Sequence, residues 1–286
     1  MLYEGIDRAI LPVSDMAAAC APFERLGLIV SPERQPKGRG IRVRAVPIGG
    51  PDNLFEVHLV SSSDEGGPGW DAFASVADRG LSTIVLRVSD LEATLAALAK
   101  HGIEPVETQT VLNADGSKRS ELAVLPEMPD AGVRLRLIQH HQSGEEIFAE
   151  HTGGRQHATP LKRLDHLAAV APDLERSCRF WDEVLGIPTA GEVISPTVVV
   201  RQLRIGDAMF ELLGPAAPDS PIRQRPPGLN SMFSVEVPNL DATVAHVEAA
   251  GFTVADRRIG TLPGTIVATI PAVQMSGVNV QLLQYV

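Results

Sequence analysis

Cysteine is nearly missing from this chain: Cys20 and Cys178 are the two in 286 residues, too few for a disulfide framework. Aromatic side chains make up only 4%, which leaves no platform for stacking nucleic-acid bases. Positive charge is scarce as well, with 25 Lys and Arg against 35 Asp and Glu and a net charge of −10. A phosphate-binding surface needs the opposite balance, so nucleic acid is excluded as a partner. No apolar run approaches the length of a membrane span. The opening MLYEGIDRAI has neither the basic nor the apolar region of a signal peptide. These absences lead to the expectation of a cytoplasmic protein that meets neither nucleic acid nor membrane. The remaining composition, 44% hydrophobic and 21% charged, is that of a globular chain, and its length favours two domains.

What the sequence does contain is repetition. Four segments share one layout: RAILPVSDMAAACAPFERLGL, TIVLRVSDLEATLAALAKHGI, HLAAVAPDLERSCRFWDEVLGI and MFSVEVPNLDATVAHVEAAGF. Each runs from an apolar strand to Asp or Asn, then a helix, then Gly. Asp15, Asp90, Asp173 and Asn239 stand where an N-cap belongs. Apolar residues then recur at helical spacing, as in Met16, Cys20 and Phe23 or Leu174, Cys178 and Trp181. Gly27, Gly102, Gly186 and Gly251 suit the left-handed position that ends a helix. Cys20 and Cys178 occupy the place of Leu95 and Val244 in the other repeats, which makes them small core residues and not nucleophiles. After each helix come strand-like stretches that end in "NLFEVHLV", "VRLRLIQ", "AMFELLG" or "VNVQLLQ". Every repeat therefore reads as β-α-β-β-β.

Strand alternation sorts these residues by face. One face is wholly apolar, as in Ala9, Leu11 and Val13 or Phe55, Val57 and Leu59. The other collects the polar residues, among them Arg8, Glu56, His58, Thr83, Arg136, His166, Glu211, Glu236 and Gln281.

This layout resembles the vicinal oxygen chelate superfamily, which includes glyoxalase I, methylmalonyl-CoA epimerase, extradiol dioxygenases and the bleomycin- and fosfomycin-resistance proteins. The resemblance covers nearly the whole chain. It implies an α+β fold of four βαβββ units forming two cup-shaped modules, residues 1–141 and 164–286, with a linker at 142–163. The second half is most similar to methylmalonyl-CoA epimerase-like proteins, through "DH", "FELL", "GPAAPDSPI" and "EVPNLDA".

In the metal-using families the ligands sit at one position on the first and closing strands of each repeat. Here the resemblance places Arg8 and Glu56, Thr83 and Arg136, His166 and Glu211, and Met232 and Gln281 at those positions. If consecutive repeats share a cup, the N-terminal cup is salt-bridged or binds an anion, with Arg8, Glu56 and Arg136 as substrate-binding residues. The C-terminal cup then offers His166, Glu211 and Gln281 to a divalent metal (Mn, Fe, Co, Ni or Zn). Met232 lines the substrate site where relatives carry histidine, and Gln281 replaces a glutamate. If the repeats pair in the swapped order, His166 and Glu211 meet Thr83 and Arg136 instead. Glu236 and His58 are candidate acid–base groups. The basic run "RQPKGRGIRVR" reads as a solvated edge, with an anionic substrate as its sharper alternative. His140, His141, His151 and His157 match no zinc spacing and have no assigned role.

Three functions follow from the resemblance. The first is a metal-dependent isomerase, epimerase or lyase acting on a small oxygen-rich molecule in the C-terminal cup. The second is a metal-free protein that sequesters a small molecule, and the third is a ring-cleaving dioxygenase. The expected partner is a small molecule, with anions among the candidates. The expected assembly is a monomer or homodimer.

Overall fold

The computed structural model describes residues 2–63 and 66–286. The first repeat supplies β1 (Tyr3–Pro12), α1 (Met16–Arg25), β2 (Ile41–Ile48) and β3 (Phe55–Ser62), followed by a short α2 (Pro68–Ala74). The second supplies β4 (Thr83–Val88), α3 (Leu91–Ala99), β5 (Glu107–Leu112), β6 (Lys118–Val124) and β7 (Arg134–His140). Helix α4 (Gly144–Thr152) lies in the stretch expected to be a linker. The third repeat supplies β8 (Arg163–Val170), α5 (Leu174–Arg179), β9 (Thr189–Ile194), β10 (Val198–Ile205) and β11 (Ala208–Pro215). The fourth supplies β12 (Gly228–Glu236), α6 (Leu240–Ala249), β13 (Ala255–Ile259), β14 (Thr265–Ile270) and β15 (Asn279–Tyr285). No helix among the described residues is long and apolar enough to cross a membrane.

The strands form two mixed sheets, ordered β2-β3-β1-β4-β7-β6-β5 and β13-β14-β15-β12-β8-β11-β10-β9. In each repeat the first and closing strands run parallel, and the remaining strands add antiparallel. The class is α+β, two curled sheets with helices in two cup-shaped modules. The first repeat departs from the expected pattern. Its second strand shrinks to a single bridge between Arg34 and Val43. Pro32 and Pro36 have no N–H to give a ladder there. Gly38 and Gly40 then turn left-handed at φ +72° and +67°.

Local signals act as the sequence implies. Asp15, Asp90, Asp173 and Asn239 each accept a hydrogen bond from the backbone N–H three residues on. Gly27, Gly102, Gly186 and Gly251 have φ between +69° and +83°. The apolar strand face is buried throughout, from Ala9 and Phe55 to Leu167, Phe210, Phe233 and Val280. Cys20 is buried and Cys178 half-buried, both unpaired, and burial pushes both thiols up. Helix α5 of the third repeat changes pitch, passing into a π-turn at Phe180–Val184. Trp181 sits fully buried in that turn, its Nε1–H donating to the Ala131 carbonyl at 2.9 Å.

The chain divides into two compact units. One gathers Met1–Asp7, Thr83–Ser143 and His166–Asn230; the other gathers Arg8–Ser82, Gly144–Asp165 and Ser231–Val286. The first unit packs the second repeat with the third, through Trp181 and through Arg176, whose Nη2 meets Asp130 at 2.6 Å. The second unit packs the first repeat with the fourth. There the Phe55 and Phe233 rings lie 6.4 Å apart, Arg25 covers the Phe252 ring at 4.2 Å, and Ser276 Oγ donates to the Ala19 carbonyl at 2.9 Å.

Candidate functional site

Strand register fixes which residues of the four repeats are equivalent. Arg8 pairs with Glu56, Thr83 with Arg134, His166 with Met209, and Met232 with Asn279. The first-strand positions match as the sequence aligns them, so their partners must match too. The counterparts of Glu211, two residues past Met209, are therefore His58, Arg136 and Gln281. Glu56 is not among them. Matching "LFEV" to "MFEL" slips the first repeat by two residues. Such a slip leaves every side chain on its own face, so face-sorting cannot detect it.

In the third repeat His166 and Glu211 lie on the same face of neighbouring parallel strands, β8 and β11. Both are buried, at 7% and 8% exposure. Gln202 of β10 donates from Nε2 to Glu211 Oε1 at 2.9 Å. One imidazole and one carboxylate are donors that suit Mn, Fe, Co, Ni or Zn, so the residues present offer two donors to the metal that the fold family implies, while the unit's other two ligand positions are Thr83 and Arg136, the swapped order of repeats. Among the described residues no group of three or more His, Cys, Asp or Glu is arranged to hold an ion. A metal here would therefore rest on these two donors of the unit. Met232 and Gln281 belong to the other unit. Met232 is half-buried beside Asn279, and Gln281 Oε1 accepts from Ser234 Oγ at 2.9 Å.

The equivalent place in the first repeat is filled differently. Glu56 is buried and accepts from two imidazoles: His58 Nε2 at Oε2, 2.8 Å away, and His151 Nδ1 at Oε1. Arg8 adds its guanidinium 3.3 Å from His58 Nδ1 and 4.0 Å from Glu56. Burial alone would raise the Glu56 carboxyl, but His58, the hydrogen bond from His151 and Arg8 outweigh it and hold the group well below the usual carboxylate range. Burial, with Arg8 beside it, pushes His58 down to about 4. At neutral pH this histidine is an uncharged partner of Glu56. The structure thus brings Arg8, Glu56 and His58 together as a salt-bridged cluster, while Thr83 and Arg136 belong to the other unit.

His151 is the member that sequence reasoning missed. It comes from α4, whose buried residues Ile147, Phe148, His151 and Thr152 form one face. That spacing in "GEEIFAEHT" is the signal that marks the segment as a docked helix. Ile147 and Phe148 pack on Leu54. With Nδ1 turned to Glu56, His151 Nε2 is left buried and without a hydrogen-bond partner among the described residues.

The other candidates have structural partners. Glu236 takes Lys162 Nζ at 2.9 Å and Arg163 Nε at 2.8 Å, one cation for each oxygen. His157 accepts from the Ile29 N–H and donates to the Pro47 carbonyl, and burial lowers its pKa. His140 meets Asp7 at 2.7 Å and His141 meets Glu121 at 2.8 Å. In the basic run, Arg44 Nε donates to the Ser31 carbonyl at 2.9 Å and Arg34 lies 3.9 Å from Glu150.

Comparison with known proteins agrees with this layout. A family profile described as glyoxalase-like domain matches residues 6–185. A second, described as the glyoxalase/bleomycin resistance protein/dioxygenase superfamily, matches residues 165–269. Mitochondrial methylmalonyl-CoA epimerase of Homo sapiens is 34% identical over 94 residues, 31% of this chain and 53% of that protein. Its Mus musculus counterpart is 35% identical over 95 residues, with the same shares of 31% and 53%. The chain thus spans about half the length of these curated relatives. A mutant of 4-hydroxymandelate synthase from Streptomyces coelicolor superposes with a TM-score of 0.69 at 15% identity, over 100% of this chain and 93% of that one. At that identity the likeness is one of fold.

Proposed function

We infer that this chain, which belongs to the family of glyoxalase-like domains, is a metal-dependent enzyme that moves a proton on a small oxygen-rich molecule. Isomerase, epimerase and lyase chemistry all begin this way, by removing a proton from the carbon beside a carbonyl. The observation that carries the reading is the buried His166–Glu211 pair on one strand face. Its support is the local similarity to methylmalonyl-CoA epimerases.

His166 and Glu211 would hold a divalent ion, whose charge would stabilise negative charge developing on a substrate oxygen. The remaining work falls to the chain. Ala168 and Val170, buried on the same face of β8 as His166, keep water from the substrate. Gln202 occupies Glu211 Oε1, so Oε2 would be the oxygen that holds the ion or, released from it, takes the proton from the substrate carbon. Glu236, with a cation on each oxygen, acts as an ion-pair partner.

The test is the metal content of protein purified without a histidine tag, beside His166→Ala. Near-stoichiometric metal that is lost in the variant is the expected result. Solvent-deuterium exchange into a panel of small thioesters and hydroxyketones then reads the proton transfer directly. Protein that carries no metal and takes up none on reconstitution would overturn the reading. A second reading, metal-free sequestration of a small molecule, is favoured by one observation: Arg136, the counterpart of Glu211, shares the unit of His166 and Glu211.

A further inference from the structure

We propose that Gln202 is a positioning residue: it holds Glu211 by one oxygen and so turns the other toward a bound metal or substrate. The proposal rests on the role given to Glu211 above. Four observations on strands β9 to β11 carry it.

The first is geometric. Gln202 stands directly opposite Glu211 in register and donates to Oε1 at 2.9 Å. A neutral amide N–H orients a carboxylate without cancelling its charge, which a lysine or arginine would do. The second is the neighbour on the far side. Gly191 of β9 pairs with Gln202, and a Cβ at Gly191 would lie 2.8 Å from Gln202 Oε1. Gly191 is not among the glycines with positive φ. The backbone therefore does not require glycine there, whereas the space for the Gln202 amide does.

The third observation is a break in the ladder at this point. Pairing passes from Gln202–Gly191 to Leu203–Thr189, which leaves Ala190 as the extra residue of a β-bulge. Bulges re-aim a side chain and recur beside functional sites. The fourth is the contrast among repeats. The residues opposite the counterparts of Glu211 are Ala45 in the first repeat, Val124 in the second and Thr269 in the fourth. An amide, a cleared space and a bulge coincide in the third repeat, on the donor pair.

The experiment titrates Co2+ into metal-free protein, following affinity by calorimetry and ligand geometry by the visible absorption of the bound ion. Gln202→Leu is expected to weaken Co2+ binding about 10- to 100-fold, the usual effect of removing a partner of a metal ligand. It should also shift the visible bands while leaving unfolding of the metal-free protein near wild type. Gly191→Ala presses only on the far end of a flexible side chain. It is expected to weaken binding by a smaller factor, and to add nothing in the Gln202→Leu background. Should Gln202→Leu fail to fold, Gly191→Ala alone carries the test. Wild type that binds Co2+, loses it in Glu211→Ala and keeps full affinity and unchanged bands in Gln202→Leu would overturn the positioning role and leave the site standing. Wild type that binds no Co2+ would remove both.

Discussion

The first and third repeats lay the same pair of parallel strands side by side and arm them in opposite ways. In the first, Glu56 has an imidazole on each oxygen and a guanidinium beside it. In the third, Glu211 takes its hydrogen bond from a neutral amide. Glu56 and Arg8 neutralise one another inside the protein, so their cluster needs no further ion to balance its charge. Glu211 and His166 share a strand face, and the amide that holds Glu211 adds no charge of its own. One pair of strands thus serves as an internal brace in one repeat and as a candidate site in another. The difference lies in what the neighbouring strand and the linker bring to it.

Breaking the brace is the largest expected effect. Glu56→Ala leaves Arg8 and two histidines around an empty buried place, and should cost about 3–5 kcal/mol, the usual penalty for removing one partner of a buried ion pair. Urea unfolding reads the loss, and Glu211→Ala should cost clearly less. An equal cost for the two would erase the distinction between brace and site.

Acid should tell the two repeats apart next. His58 titrates at about 4 in the folded protein, against an ordinary value of 6.5. Between those values the unfolded chain binds the proton more readily, so stability falls as pH drops from 6.5 to about 4. The loss is on the order of 3 kcal/mol at 1.36 kcal/mol per pH unit. Glu56, also depressed, extends the loss below its ordinary 4.5. His58→Gln should flatten the upper part of this dependence in unfolding curves taken at stepped pH.

A smaller effect is expected at α4. His151→Ala removes one hydrogen bond to Glu56 and should cost about 1–3 kcal/mol, with faster proteolysis within residues 144–157. An unchanged digestion pattern would mean that Ile147 and Phe148 hold the helix by themselves.

The smallest expected effect concerns a feature that the two halves share. Asp7 meets His140 and Asp165 meets Tyr285, at the same position of two closing strands. Burial, with Asp165 beside it, pushes the Tyr285 hydroxyl up to about 12, so it stays a donor at any ordinary pH. Tyr285→Phe should cost about 1 kcal/mol by thermal unfolding. No cost would reduce the shared contact to packing.

Much of the fold was legible in the sequence because its signals are local. A cap, a buried stripe and a left-handed glycine each act within one turn, and Asp173, Trp181 and Gly186 can be read without knowing what lies opposite. The site was harder to read because it depends on register. Glu56 and Glu211 share a Phe-Glu pair and a strand face, and only the ladder between strands shows them to be two positions apart. His151 was hidden for another reason: its partner lies 95 positions away in the chain. Gln202 looks like any strand residue until Glu211 is set across from it.

The composition of the second compact unit also bears on how the chain comes to be folded. That unit needs residues 8–82, 144–165 and 231–286, so the first repeat emerges from the ribosome long before the fourth. At roughly 5–20 residues per second, the interval of about 150 residues takes on the order of 10–30 s. During that time Phe55, and the floor on which Phe233 and Phe252 will settle, are without their partners. The first repeat must wait half-built, exposed to chaperones and proteases, and a chain cut short before residue 231 would strand it in that state.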